Sequence, residues 1–125
     1  MGACPVFMGR ALTLQKIGFM SVQEIDDSAF EKALAENKNV VVKYYANWCG
    51  SCKLFAPKYK RLSEDTRFED VVFLDVNAEE NEKARKLAGV DNLPFFAVFK
   101  SGDLIKGLST SKEENVVELI NELES

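Results

Sequence analysis

The stretch Val40-Val41-Val42-Lys43-Tyr44-Tyr45-Ala46-Asn47-Trp48-Cys49-Gly50-Ser51-Cys52-Lys53 changes its hydrophobic period halfway along. Val40 to Ala46 is β-branched and aromatic, the composition of a central strand covered on both faces, with Lys43 as its one charge. From Cys52 the period is helical. Cys52, Phe55, Tyr59 and Leu62 share one face as far as about Asp65, with Pro57 inside the run and expected to kink it. Upstream, Ser28-x-x-Glu31 reads as a capping box opening a short helix whose Phe30, Ala33, Leu34 and Asn37 lie together. Downstream, Val71 to Val76 reads as a strand, and Glu79 to Ala88 as a helix with Ala84, Leu87 and Ala88 inward, ended by Gly89. Phe95 to Phe99 and Leu104 to Leu108 form a hairpin around Lys100-Ser101-Gly102-Asp103. A last helix follows, with a capping box Ser111-x-x-Glu114 and the stripe Val116, Leu119, Ile120 and Leu123. The alternating periods, with no internal repeat, are an α/β signal.

Composition bounds the function. The chain has 125 residues, 46% of them hydrophobic, which suits one compact domain. Residues 21–125 are read as that domain and 1–20 as a flexible N-terminal extension containing the spare thiol Cys4. The absence of histidine excludes Ser-His-Asp triads, Cys-His nucleophile pairs and HExxH metal sites. Three cysteines cannot close a Cys4 zinc site, so no metal is expected within one chain. A net charge of -4 argues against nucleic acid as a partner, and no apolar run is long enough for a membrane span. Met1 to Met20 does not have the pattern of a signal peptide, so the cytoplasm is the expected compartment; an exported protein with a trimmed signal is the alternative.

The chemistry gathers at Cys49-Gly50-Ser51-Cys52, where the strand gives way to the helix. A sulfur at a helix N-terminus meets unpaired N–H groups and the positive end of the helix dipole, which stabilise a thiolate. Cys49 is therefore the expected nucleophile. Cys52, one turn further in, is placed to attack the mixed disulfide that Cys49 forms, completing a two-electron exchange. The bland reading is two small apolar residues or half of a metal site.

Taken with Trp48, Lys53, Pro57, Leu93-Pro94 and Phe99-Lys100-Ser101-Gly102, this motif resembles the thioredoxin family over about Val22 to Leu123. The resemblance implies a thioredoxin fold, a central mixed β-sheet flanked by α-helices, with Pro94 cis and facing the cysteine pair. It implies a catalytic pair, Cys49 attacking and Cys52 resolving, tuned by Lys43, Gly50 and Ser51. It also implies a groove of Trp48, Leu93 and Pro94 in which a substrate peptide pairs with the Leu93 backbone. The expected function is thiol-disulfide oxidoreductase, a disulfide reductase with protein disulfide substrates, a thioredoxin-reductase-like electron donor, no cofactor beyond the Cys49-Cys52 disulfide, and a monomeric state. The alternative is a binding or adaptor module with little redox turnover; a third reading is an iron-sulfur site shared between two chains, each giving Cys49 and Cys52.

Four positions depart from the family pattern. Ser51 replaces a proline and adds a hydroxyl able to hydrogen-bond a sulfur. Phe95 stands for a threonine and Thr110 for a glycine, from which a narrower groove is expected. Lys43 falls where the family has a buried aspartate that accepts the proton of the resolving cysteine. An ammonium cannot accept one. Lys43 is then desolvated and titrates near working pH, or stays charged and favours the thiolate, making a stronger oxidant than thioredoxin's roughly -270 mV; or it snorkels past the strand edge and touches nothing catalytic. No glutamate nearby offers itself as a substitute.

Overall fold

The computed structural model describes residues 22–124. The expected extension 1–20 and Cys4 lie outside the described residues. The strands are β1 (Gln23–Glu24), β2 (Asn39–Tyr45), β3 (Val72–Asn77), β4 (Phe95–Lys100) and β5 (Asp103–Ser109), and the helices are α1 (Asp27–Glu36), α2 (Gly50–Ser63), α3 (Glu82–Ala88) and α4 (Glu113–Asn121). They form one mixed sheet in the order β1-β3-β2-β4-β5, with β1, β3 and β2 parallel and β4 and β5 antiparallel. No helix among the described residues is long and apolar enough to cross a membrane.

Strand alternation divides the core. Val40, Val42 and Tyr44 of β2 pack with Leu74 and Val76 of β3 under α1 and α3, through Phe30, Leu34, Ala84 and Ala88. The opposite face carries Val41, Phe73, Phe96 and Val98 against Phe55, Tyr59 and Leu62 of α2 and Val116, Leu119, Ile120 and Leu123 of α4. The predicted stripes of α2 and α4 are therefore both inward. Period 2 sends Lys43 and Asp75 to this second face, the one covered by α2.

Several local expectations change. The two-residue strand β1 was not anticipated; only pairing with β3 makes it a strand. Asp26, not Ser28, caps α1: its carboxylate accepts the Ala29 N–H at 3.2 Å and the Ser28 hydroxyl at 2.6 Å. Helix α3 begins at Glu82 rather than Glu79, because Asn77 holds the intervening turn by accepting from Glu79 N–H and from the Asn81 amide. Its first free N–H groups, those of Lys83 and Ala84, donate to the Asp27 carboxylate of α1. Leu87 is half-exposed, not inward. Gly89 ends α3 with a left-handed backbone, as expected, and Ser101-Gly102 turns the hairpin with positive φ at both residues. Thr110, rather than Ser111, supplies the hydroxyl at the start of α4, accepting from Lys112 N–H and the Asn115 amide. Pro57 sits inside α2 without ending it.

Candidate active site

The dithiol lies where β2 passes into α2. The Cys49 N–H donates to the Ala46 carbonyl at 3.1 Å, turning the chain, and Cys49 becomes the N-cap of α2 with an extended backbone. N-cap side chains ordinarily offer an oxygen to the first free N–H groups. Here the Cys49 sulfur accepts from Cys52 N–H at 3.1 Å. Negative charge on that sulfur would be stabilised by the helix end. Cys49 and Cys52 are joined in a disulfide, Cα atoms 5.3 Å apart, so this is the oxidised state. Cys49 is 5% exposed and Cys52 2%. Ser51 and Gly50 are exposed on the rim, and a Cβ on Gly50 would meet nothing within 4 Å.

On one side, Ala46, Cys49 and Cys52 form a small apolar cluster with Leu93 packed against it. The Leu93–Pro94 peptide is cis. The Leu93 N–H donates to its neighbour's Asn92 Oδ1 at 2.9 Å, and the Pro94 carbonyl accepts from Thr110 N–H and the Ser109 hydroxyl, each at 3.2 Å. Trp48 is 68% exposed, its indole N–H donating to the Glu79 carboxylate. Trp48 and Leu93, with Glu79, Arg85 and Asn92, line a depression of about 230 Å³; Pro94 is buried and is not among its lining residues. Phe95 does not narrow it. Its ring packs inward on Tyr44 at 6.1 Å between centroids, on the α1/α3 side of the sheet.

On the other side, a depression of about 220 Å³ is lined by Cys52, Lys53, Lys43, Tyr45, Glu24 and Asp75, among others. Lys43 is 3% exposed on a central strand and does not snorkel. Its Nζ lies 3.5 Å from Asp75 Oδ1, 5.2 Å from the Tyr59 ring centroid and 5.8 Å from that of Tyr45. Tyr59 is fixed there by hydrogen bonds to the Val41 and Leu74 carbonyls. Burial pushes the Asp75 carboxyl up to about 6 from 3.8; the Lys43 ammonium pulls it back and Glu24 adds to the rise. Asp75 is the residue the sequence reading missed. The available signal was a pair of opposite charges, each alone within an otherwise apolar strand. What it lacked was the pairing of those strands.

The Thioredoxin family model matches residues 21–122. A curated relative, the chloroplastic F-type thioredoxin of Brassica napus, is 41% identical over 104 residues, 79% of this chain and 55% of that protein. Across three such chloroplastic relatives the chain spans about half their length, 54% to 56%. Among solved structures, thioredoxin f from spinach chloroplast superposes with a TM-score of 0.78 at 29% identity, over 86% of this chain and 96% of that one. A thioredoxin f2 solved in complex with ferredoxin:thioredoxin reductase has a TM-score of 0.75 at 33% identity, over 86% of this chain and 98% of that one.

Proposed function

The chain belongs to the thioredoxin family, and we propose that its domain, residues 21–125, is a thiol-disulfide oxidoreductase that reduces disulfides in protein substrates. The observation that carries this reading is the Cys49–Cys52 disulfide at the head of α2, its outer sulfur capping the helix. In the reduced protein the Cys49 thiolate attacks one substrate sulfur. A Cys49–substrate disulfide forms, and the other substrate sulfur leaves with the bonding electron pair and takes up a proton. Cys52, deprotonated, then attacks Cys49 Sγ, reforming the internal disulfide and releasing the second substrate thiol. Two electrons pass from the dithiol to the substrate, and no cofactor is needed.

The substrate peptide lies over Trp48 and the Leu93–Pro94 segment, while Gly50 and Ser51 keep the rim open and Lys43 tunes the pair from below. A dithiol must be restored by a donor with a lower potential. The complex of the similar thioredoxin f2 with ferredoxin:thioredoxin reductase supports a reductase as that donor, and the chain acts as a monomer. The names of the chloroplastic relatives favour an organelle over the cytoplasm expected from the sequence. The adaptor alternative has no observation in its favour, since the geometry of the exchanging pair is intact.

Reduced protein is expected to reduce a test disulfide, with Cys49→Ser inactive and Cys52→Ser accumulating the mixed disulfide. Turnover surviving in Cys49→Ser would sink the assignment.

A further inference from the structure

We propose that Asp75, on β3, accepts the proton of Cys52 during the resolving step, in place of the carboxylate that Lys43 displaces from β2. This rests on the reading of Cys52 as the resolving thiol. Three observations carry it. First, Lys43 and Asp75 are paired positions of adjacent parallel strands, so a carboxylate stands beside the position on β2 that Lys43 occupies, held there by an ion pair. Second, Cys52, Lys43 and Asp75 line one water-accessible depression, which leaves room for a water to carry a proton from sulfur to carboxylate. Third, Asp75 Oδ1 is buried and accepts no hydrogen bond among the described residues; the 3.5 Å contact with Lys43 is all that holds it, so the oxygen keeps a lone pair for a proton.

The charged and titratable groups facing Asp75 are Glu24 from β1, Lys43 and Tyr45 from β2, and Tyr59, Cys52, Lys53 and Lys60 from α2. Glu24 is the competing carboxylate. It is exposed and accepts the Tyr45 hydroxyl at 2.7 Å, which leaves it solvated and already engaged. Asp75, pushed up to about 6, is closer to a thiol in affinity for the proton. The step balances as follows: the Cys52 S–H proton passes to Asp75, the thiolate pair forms the bond to Cys49 Sγ, the Cys49–substrate bond breaks, and the substrate thiolate takes a proton from the Asp75 carboxylic acid or from water. Lys43 then has a role after all. Its ammonium holds the carboxylate ionised, and so able to accept, at neutral pH.

The test uses an aromatic disulfide that releases a coloured thiolate at each step. With the reduced full chain, the first release reports attack by Cys49 and the second reports resolution by Cys52. The wild-type second phase is expected to fall off below about pH 6. Asp75→Asn should slow it about tenfold or more at pH 7 and move its dependence to the thiol's own range, while the first phase changes less than about twofold. Lys43→Met should shift the acid limb to higher pH. Should Asp75→Asn fold poorly with Lys43 left unpaired, the neutral pair Lys43→Met/Asp75→Asn carries the same expectation. A second phase with wild-type rate and acid limb in these Asp75 variants, or an acid limb removed by Glu24→Gln instead, overturns the proposal. Loss of the first phase in Cys49→Ser keeps the oxidoreductase reading standing in that event; its persistence would fail that reading separately.

Discussion

Lys43 and Asp75 face each other from neighbouring parallel strands, 3.5 Å apart, on the side of the sheet that the cysteine-bearing helix covers. Each is the lone charge among the apolar residues of its strand's buried run, and neither has a stable place there without the other. Removing one partner of such a pair leaves a desolvated charge, which costs more than removing both. The pair thus joins the stability of the fold to the protonation state of the site.

A pH dependence of stability follows with a definite sign. The Asp75 carboxyl titrates at about 6 in the folded protein against 3.8 ordinarily, so the folded state binds the extra proton between those values. Its contribution is most favourable below the lower value and is lost as the pH rises through about 6. Asp26, Asp65 and Glu82 are held low by hydrogen bonds from Ser28, Arg67 and Lys86, and their contributions are present above their ordinary values and fade only as the pH drops below them. Between about pH 5 and 7.5, Asp75 dominates. Urea unfolding of the oxidised protein should show roughly 1 kcal/mol more stability at the lower pH, and the Lys43→Met/Asp75→Asn variant should lose that slope. An unchanged slope in the variant would rule the pair out as its source.

The groove has an internal occupant. Under the proposed function, a substrate peptide pairing with the Leu93 backbone would compete for an N–H that now donates to the exposed Asn92 side chain at 2.9 Å. An exposed hydrogen bond of this kind is worth about 0.5–1 kcal/mol. Asn92→Ala is therefore expected to lower KM for a protein disulfide about two- to fivefold with kcat unchanged, and Asn92→Asp, which keeps an acceptor, should not. A raised KM in Asn92→Ala would mean that the amide itself contacts the substrate.

The cap of α1 is a second local test. Asp26 accepts both the Ala29 N–H and the Ser28 hydroxyl, so Asp26→Ala should cost about 1 kcal/mol of unfolding free energy, and Ser28→Ala a few tenths. Equal losses, measured by denaturant unfolding, would return the cap to Ser28.

Much of this molecule was legible in the chain because the relevant signals are local. The β2-to-α2 change of period, the inward stripe Cys52, Phe55, Tyr59 and Leu62, the left-handed stop at Gly89 and the Ser101-Gly102 turn each depend on residues within a turn or two of one another. The misreadings have one cause. Ser28 and Ser111 match a capping pattern, but Asp26 and Thr110, each a residue or two away, present the oxygen at the required height. Phe95 was placed in the groove by its sequence position; strand alternation turned it onto Tyr44 instead.

Residue order alone was enough to place a thiol pair at a helix head and to require a strand leading into it, since backbone periodicity and helix-end electrostatics act over a few residues. Assembly of the sheet had to settle the rest. Asp27 serves N–H groups of a helix 57 residues away, and Asp75 becomes the partner of Lys43 because β3 lies parallel to β2 in one register. A shift of that register by one residue would turn Asp75 to the other face. Whether the buried lysine is a defect in the site or half of an ion pair is therefore a property of strand pairing, which composition and spacing do not encode.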